Sequence, residues 1–282
     1  MGNAIDQFRR AIQSAGLVPP DEIHDDGLLH RFSTNGKRQD LSGWYCLHSD
    51  GVAAGAFGCW RAGVQSVWCA KSDSAMTNAE REAHRQRVAE IQAQREQELL
   101  QRQEAAATTA AVQWAQAALA DNHPYLVRKG IKPHGTRVLG DRLLIPLRDA
   151  EGNLHSLQTI GQDGSKRFQS GGRIKGCHHL IGEPSSLLVI AEGFATGSSI
   201  SEATGHAVAC AMNAGNLLEV AQVLRGKYPK LEIIIAADDD HRTEGNPGLT
   251  KATEAAKAVG GKLAVPVFGP DRPEGATDFN DL

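Results

Sequence analysis

From residue 186 to residue 282, unbroken apolar runs of about five residues alternate with longer stretches of helical spacing. The runs at 187–191, 207–211, 233–237 and 262–266 predict strands, and those at about 195–203, 217–227 and 249–259 predict helices. This alternation implies a parallel α/β sheet with right-handed crossovers. In such sheets, ligands bind at the carboxyl ends of the strands.

Upstream, the pattern changes three times. Residues 120–185 are mixed: a short helix over 125–129 stops at Gly130, and apolar runs at 143–148 and 154–160 pair around a turn at 149–153. Residues 77–119 predict one long helix. Thr77 and Glu80 have capping-box spacing, and no Pro or Gly interrupts 81–111. Its apolar residues, among them Val88, Ile91, Leu99 and Leu100, are sparse, which suits a solvated connector. The alternative, a coiled-coil contact, has only a thin a/d pattern behind it. Residues 1–75 open with a helix over 4–15, stopped by Gly16 and Pro19-Pro20. Strand-like runs at 28–32, 43–48, 56–60 and 66–70 follow, punctuated by Asn35-Gly36, Asp50-Gly51 and Gly63, and predict a small antiparallel sheet. The expected divisions are therefore 1–75, 76–119, 120–185 and 186–282.

Composition narrows the class. No apolar run approaches the roughly 20 residues that cross a bilayer, and the first ten residues lack the apolar segment of a signal peptide, so the expected compartment is the cytoplasm and no membrane partner is expected. Five scattered cysteines argue against structural disulfides. Cys46, His48, Cys59 and Cys69 contain no C-x₂₋₄-C pair, so zinc is not expected. No G-x-x-x-x-G-K-[ST] loop is present, which excludes a P-loop motor. Net charge is −3, but residues 128–175 hold 10 Lys/Arg against 4 Asp/Glu, and residues 187–282 hold 8 against 13. A basic segment beside an acidic one suits an enzyme that holds a polyanion next to metal ions.

The acids fall at the predicted strand ends. Leu187–Ala191 runs into Glu192, and the 233–237 run into Asp238-Asp239-Asp240; Asp278 and Asp281 follow the last strand. Alternation points Asp238 and Asp240 one way and Asp239 the other. Helix capping and turn chemistry account for any one of these clusters. Three at one sheet edge repel one another unless cations neutralise them, and Mg²⁺, with Mn²⁺ as substitute, matches such hard oxygen ligands.

The segments LLVIAEGFATG and IIIAADDDHRTEGNPGLTKA resemble the TOPRIM motif, and TDFNDL is similar to its third acidic element in primases. From about residue 120 the chain resembles the catalytic core of bacterial primases. It looks like those of conjugative plasmids and satellite phages, whose N-terminal unit the stretch DGLLHRFSTNGKRQDLSGWYCLHSDGVAAGAFGCWRAG also resembles. The resemblance implies a TOPRIM parallel sheet flanked by helices, preceded by an α+β primase subdomain, the connector helix and the N-terminal antiparallel unit. It implies a DNA primase, a nucleotidyltransferase making short RNA primers on single-stranded DNA from ribonucleoside triphosphates, with a replicative helicase as a further partner. Carried over, Glu192, Asp238 and Asp240 are the catalytic carboxylates, with Asp278 as an additional metal ligand. Thr196 stands where replicative primases carry a further Asp, so Asp239 or Asp281 compensates or the site holds fewer tight ligands.

The stretch DGSKRFQSGGRIKG (163–176) carries Lys166, Arg167, Arg173 and Lys175. A Gly-rich loop bearing four cations can wrap a phosphate backbone, as the similar stretch of primases implies; the alternative is a solvated hairpin turn. Arg142 and Arg148 extend this patch toward DNA or nucleotide. Trp44, Tyr45, Trp60 and Trp68 either fill a small core or, at Trp44 and Trp60, stack on unpaired bases, with Lys37, Arg38 and Arg61 nearby for phosphates. Two rival functions stay open: a TOPRIM nuclease acting on DNA, and a non-catalytic single-stranded DNA-binding protein. A topoisomerase needs a nucleophilic tyrosine, and Tyr45, Tyr125 and Tyr228 lie in no recognisable context.

Overall fold

The computed structural model describes residues 3–37, 40–71 and 76–282, without the side chains of residues 80, 84, 91 and 95. Arg38 and the Glu80 half of the expected capping box lie outside the described residues. The chain divides into two compact units, Met1–Glu96 and Gln97–Leu282.

In the first unit, helix α1 (Ala4–Ser14) is capped by Asn3, whose side chain accepts the Ile5 N–H. Strands β1 (His30–Phe32), β2 (Gly43–His48), β3 (Ala54–Cys59) and β4 (Val64–Cys69) form one antiparallel sheet in that order. Strand β1 starts two residues later than the apolar pattern suggests, because Asp26 accepts the Leu28 N–H in a turn that leaves Leu28 and Leu29 exposed. Helix α1 lays Phe8 and Ile12 on the sheet, and Phe8 meets Tyr45, Phe57 and Trp68 edge-on. Edge-to-face geometry adds to the burial of these rings.

Helix α2 (Asn78–Gln116) leads into the second unit. Its later part is more than a solvated connector. Ala106 and Ala110, and Ala117 just beyond it, are buried, the last two against Leu144 and Leu157. Gln169 also donates to the Ala106 carbonyl at 2.6 Å. Alanine lets the helix approach the sheet closely, which a search for large apolar residues at heptad spacing overlooks.

The second unit has two sheets. Strands β5 (Ala118–Leu119), β6 (Arg137–Leu139), β7 (Arg142–Arg148), β8 (Leu154–Ile160) and β9 (Lys166–Phe168) form an antiparallel sheet in chain order, with helix α3 (Pro124–Lys129) between β5 and β6. Gly130 ends α3 in the left-handed conformation, φ 65°, where a Cβ would be strained. The other sheet contains β10 (His179–Ile181), β11 (Leu187–Ala191), β12 (Ala207–Cys210), β13 (Glu232–Ala236) and β14 (Lys262–Ala264), in the order β10-β12-β11-β13-β14. All neighbours are parallel except β10, which runs antiparallel to β12. A three-residue run offers no alternation to read, so the sequence pattern does not reveal this edge strand. Helices α4 (Phe194–Thr204), α5 (Leu217–Lys227) and α6 (Pro247–Val259) supply the crossovers.

Strand β11 is central and buried on both faces, which is why its sequence is apolar throughout. Leu188 and Ile190 pack with α5 and α6; Val189 and Ala191 face Phe194 of α4 together with Leu143, Ile145 and Ile160 of the antiparallel sheet. The two sheets therefore share one core. Truncating Ile190 to Ala would cost about 2–5 kcal/mol. This shared core brings β9 to the carboxyl end of β11.

Candidate active site

Glu192 follows β11 directly and Asp238 lies two residues beyond β13, so the two neighbouring parallel strands end together at the acids. The Ala214 N–H, in the turn after β12, stands near Glu192 and opposes the rise in its pKa. Asn216 locks that turn: buried, it accepts the Gly176 N–H and donates to the Cys177 and Ala211 carbonyls, each at 2.9 Å. Asp240 accepts the Gly248 N–H at 3.1 Å from the start of α6. A Cβ on Gly248 would lie 2.7 Å from the Asp238 carbonyl and 2.9 Å from Asp240 Oδ2, so only glycine allows this approach. Asp278 arrives from the C-terminal turn, its Oδ1 accepting the Asn280 and Asp281 N–H groups at 2.6 and 3.2 Å.

These four carboxylates act on one another. Burial first, then the charges of Glu192, Asp278 and Asp240, push Asp238 up to about 8. Asp238 Oδ1 is buried with no hydrogen-bond partner among the described residues. Burial and the charge of Asp240 likewise raise Glu192. Lys166 faces the same cleft: burial and Lys129 lower its pKa, while Asp278, Glu192 and Asp238 oppose that. Tyr125, invisible as a site residue in the sequence, lies beside it. Its ring is 5.8 Å from the Lys166 ammonium, and burial, then Asp278, push its phenol up to about 12.

The other basic residues are distributed differently. The stretch 163–176 is no single wrapping loop, because residues 166–168 pair with β8 as strand β9. Alternation then sends Lys166 and Arg167, both exposed, to opposite faces. Lys175 pairs with Glu219 of α5 at 2.8 Å, and Arg173 donates to the Lys175 carbonyl. Arg148 stacks on Trp114, 5.9 Å from its ring, and donates to the Gly152 carbonyl; Arg142 is exposed at the start of β7. In the first unit, Trp60 is 66% exposed with Arg61 over its ring, whereas Trp44 is partly buried and Trp68 packs on the core.

Neither acid expected to compensate for Thr196 is directed to the cluster. Asp239 is bonded to Arg272 and Asn246, and the Asp281 carboxylate takes the Thr277 N–H and Lys129. Thr196 itself is buried in the first turn of α4.

Residues 187–282 match the Toprim domain family. Two relatives, both DNA primase TraC of Escherichia coli, are each 38% identical over 94% of this chain. The chain spans 26% and 20% of their lengths. Among solved structures, the primase fragment of the bacteriophage T7 primase-helicase protein is 19% identical, with 57% of this chain and 68% of that one covered at a TM-score of 0.42. The Aquifex aeolicus primase is 16% identical, with 100% and 82% covered at 0.41. The Toprim expectation drawn from the two apolar strands and their acids is thus borne out.

The donor set of the Toprim domain fits a hard divalent cation: oxygen ligands only, mutual repulsion, and a buried carboxylate oxygen without a partner. Among the described residues no three His, Cys, Asp or Glu side chains are grouped to hold an ion by themselves.

Proposed function

We propose that this chain is the catalytic part of a DNA primase, joining ribonucleotides on a single-stranded DNA template. The observation that carries the reading is the convergence of Glu192, Asp238, Asp240 and Asp278 at one sheet edge, with Lys166 facing them. Those four carboxylates would hold Mg²⁺. When bound, the ions supply charge stabilisation of a phosphoryl group in transfer and acidify the attacking hydroxyl. Glu192, raised by burial, is suited to accept the proton of a 3′-hydroxyl at its carboxylate. Lys166 binds a triphosphate oxygen and offsets the acids' repulsion. Tyr125, kept protonated, packs under the Lys166 chain and holds it over the cleft.

Arg142, Arg148, Arg167, Arg173 and Lys175 serve as backbone contacts for DNA or nucleotide. Residues 1–75 present Trp60 as a platform for an unpaired base and so recognise template, while residues 186–282 perform chemistry. The two TraC primases at 38% identity support this reading. The plasmid setting and the helicase partner remain part of the same proposal. The test is primer synthesis from ribonucleoside triphosphates on a panel of single-stranded oligonucleotides, with labelled DNA alone as the parallel incubation. Template-dependent RNA products that vanish in Asp240→Ala support the proposal. Cleavage of the labelled DNA without synthesis identifies a nuclease, and DNA binding with neither reaction identifies a non-catalytic binder.

A further inference from the structure

Asp239, the middle acid of the run, has a different set of partners from its neighbours. Its carboxylate accepts Arg272 Nη1 and Asn246 Nδ2, each at 2.7 Å. Arg272 Nη2 also donates to the Asp239 carbonyl at 3.1 Å. The same guanidinium donates through Nε and Nη2 to the Ala276 carbonyl at 2.9 and 2.7 Å and stacks on Phe268 at 4.3 Å. The Asp239 N–H reaches the Thr277 carbonyl at 2.8 Å. Asn246, in the left-handed region at φ 40°, caps α6 two residues before Gly248, the donor to Asp240.

Three segments are fastened at this point: residues 238–240, the start of α6, and residues 272–278 leading to Asp278. None of the four clustered acids lies within a paired strand; Glu192 and Asp238 stand within two residues of β11 and β13, whereas Asp240 and Asp278 lie farther from any strand pairing. Arg272 and Asp239 are 22% and 19% exposed at their side chains, and their contact is a fork of several hydrogen bonds, unlike a mobile surface pair. Charge has a part as well: Arg272 pairs with Asp239, so the middle aspartate of the run adds little repulsion to the cleft.

We propose that Asp239 and Arg272 form a positioning clamp that sets Asp240 and Asp278 against Asp238 and Glu192, and that divalent-cation affinity depends on it. The inference rests on reading the four acids as the cation site. The experiment is titration of the full chain with Mn²⁺, followed by electron paramagnetic resonance of the free ion, with circular dichroism as the check on folding. Arg272→Ala is expected to weaken Mn²⁺ binding about tenfold or more, in line with supporting residues around metal ligands. Arg272→Lys, which keeps the charge but loses the fork, should recover only part of the affinity. Asp239→Asn and Asn246→Ala leave the bonds from Arg272 to the Ala276 carbonyl in place and should weaken binding by a smaller factor; they carry the test if Arg272→Ala does not fold. Wild-type Mn²⁺ affinity in folded Arg272→Ala, or in both milder variants, overturns the clamp. Glu192→Ala and Asp240→Ala are the controls: if they too bind Mn²⁺ normally, the cation-site reading falls and the clamp with it.

Discussion

Removing the charge of Asp238 should stabilise the metal-free protein while abolishing its response to Mg²⁺. Burial and three neighbouring carboxylates raise Asp238 from 3.8 to about 8. The folded chain therefore holds this proton more tightly than the unfolded chain. The resulting stability is fully present below about pH 4 and is lost as pH rises toward 8. At pH 7 the penalty is some three pH units, about 4 kcal/mol at 1.36 kcal/mol each. Residual solvation of a half-buried group reduces this to roughly 2 kcal/mol. Asp238→Asn has no such titration. In a chelator at pH 7–8 its thermal transition should rise by about 4–8 °C, given roughly 2–4 °C per kcal/mol for a unit of this size. The gain should shrink toward pH 5. Millimolar Mg²⁺ should raise the wild-type transition through mass action and leave the variant's nearly unmoved. The assay is scanning calorimetry across pH 5–8, with and without Mg²⁺. A variant no more stable than wild type at pH 8 without metal, or one that gains as much from Mg²⁺, would refute the reasoning.

The remaining expectations are narrower. Lys166→Ala should weaken binding of nucleotide or single-stranded DNA and lower the salt slope by about 1, whereas Lys175→Ala, already paired with Glu219, should do less; titrations at several salt concentrations decide this. Trp60→Ala should cost about 1–3 kcal/mol in single-strand affinity with little change in melting, because the ring is exposed. Gly248→Ala should sharply reduce Mn²⁺ binding, since its Cβ would displace Asp240; unchanged affinity means the α6 terminus can move aside. Burial lowers His178 and His179 to about 4, so the folded state resists their protonation and stability falls as pH drops from 6.5 toward 4, by up to about 3 kcal/mol each. Denaturant melts at pH 7 and 4.5 measure that loss, and a His178→Asn, His179→Gln variant should show a flatter profile.

The apolar runs that end in Glu192 and Asp238 were legible as strands because strands buried on both faces need continuous apolar sequence, and an acid that follows such a run stands at the strand's carboxyl end. Strand period also assigned Asp239 a direction opposite to its neighbours. The small antiparallel sheet of the first unit could be read from Asn-Gly, Asp-Gly and Gly turns between aromatic runs. These features depend on neighbours a few residues apart. Contacts between residues distant in the chain were decided only by tertiary structure. The pairing of β9 with β8 split one basic stretch and gave Lys166 alone to the acids. Packing between the two sheets brought Tyr125 beside Asp278, 153 positions away in the sequence. The fold of the last fourteen residues placed Arg272 on Asp239, so an acid that composition counts as a metal ligand became half of an ion pair. Local periodicity states which way a side chain leaves its strand; what it meets there depends on how separate elements share a core, which no spacing in this sequence encodes.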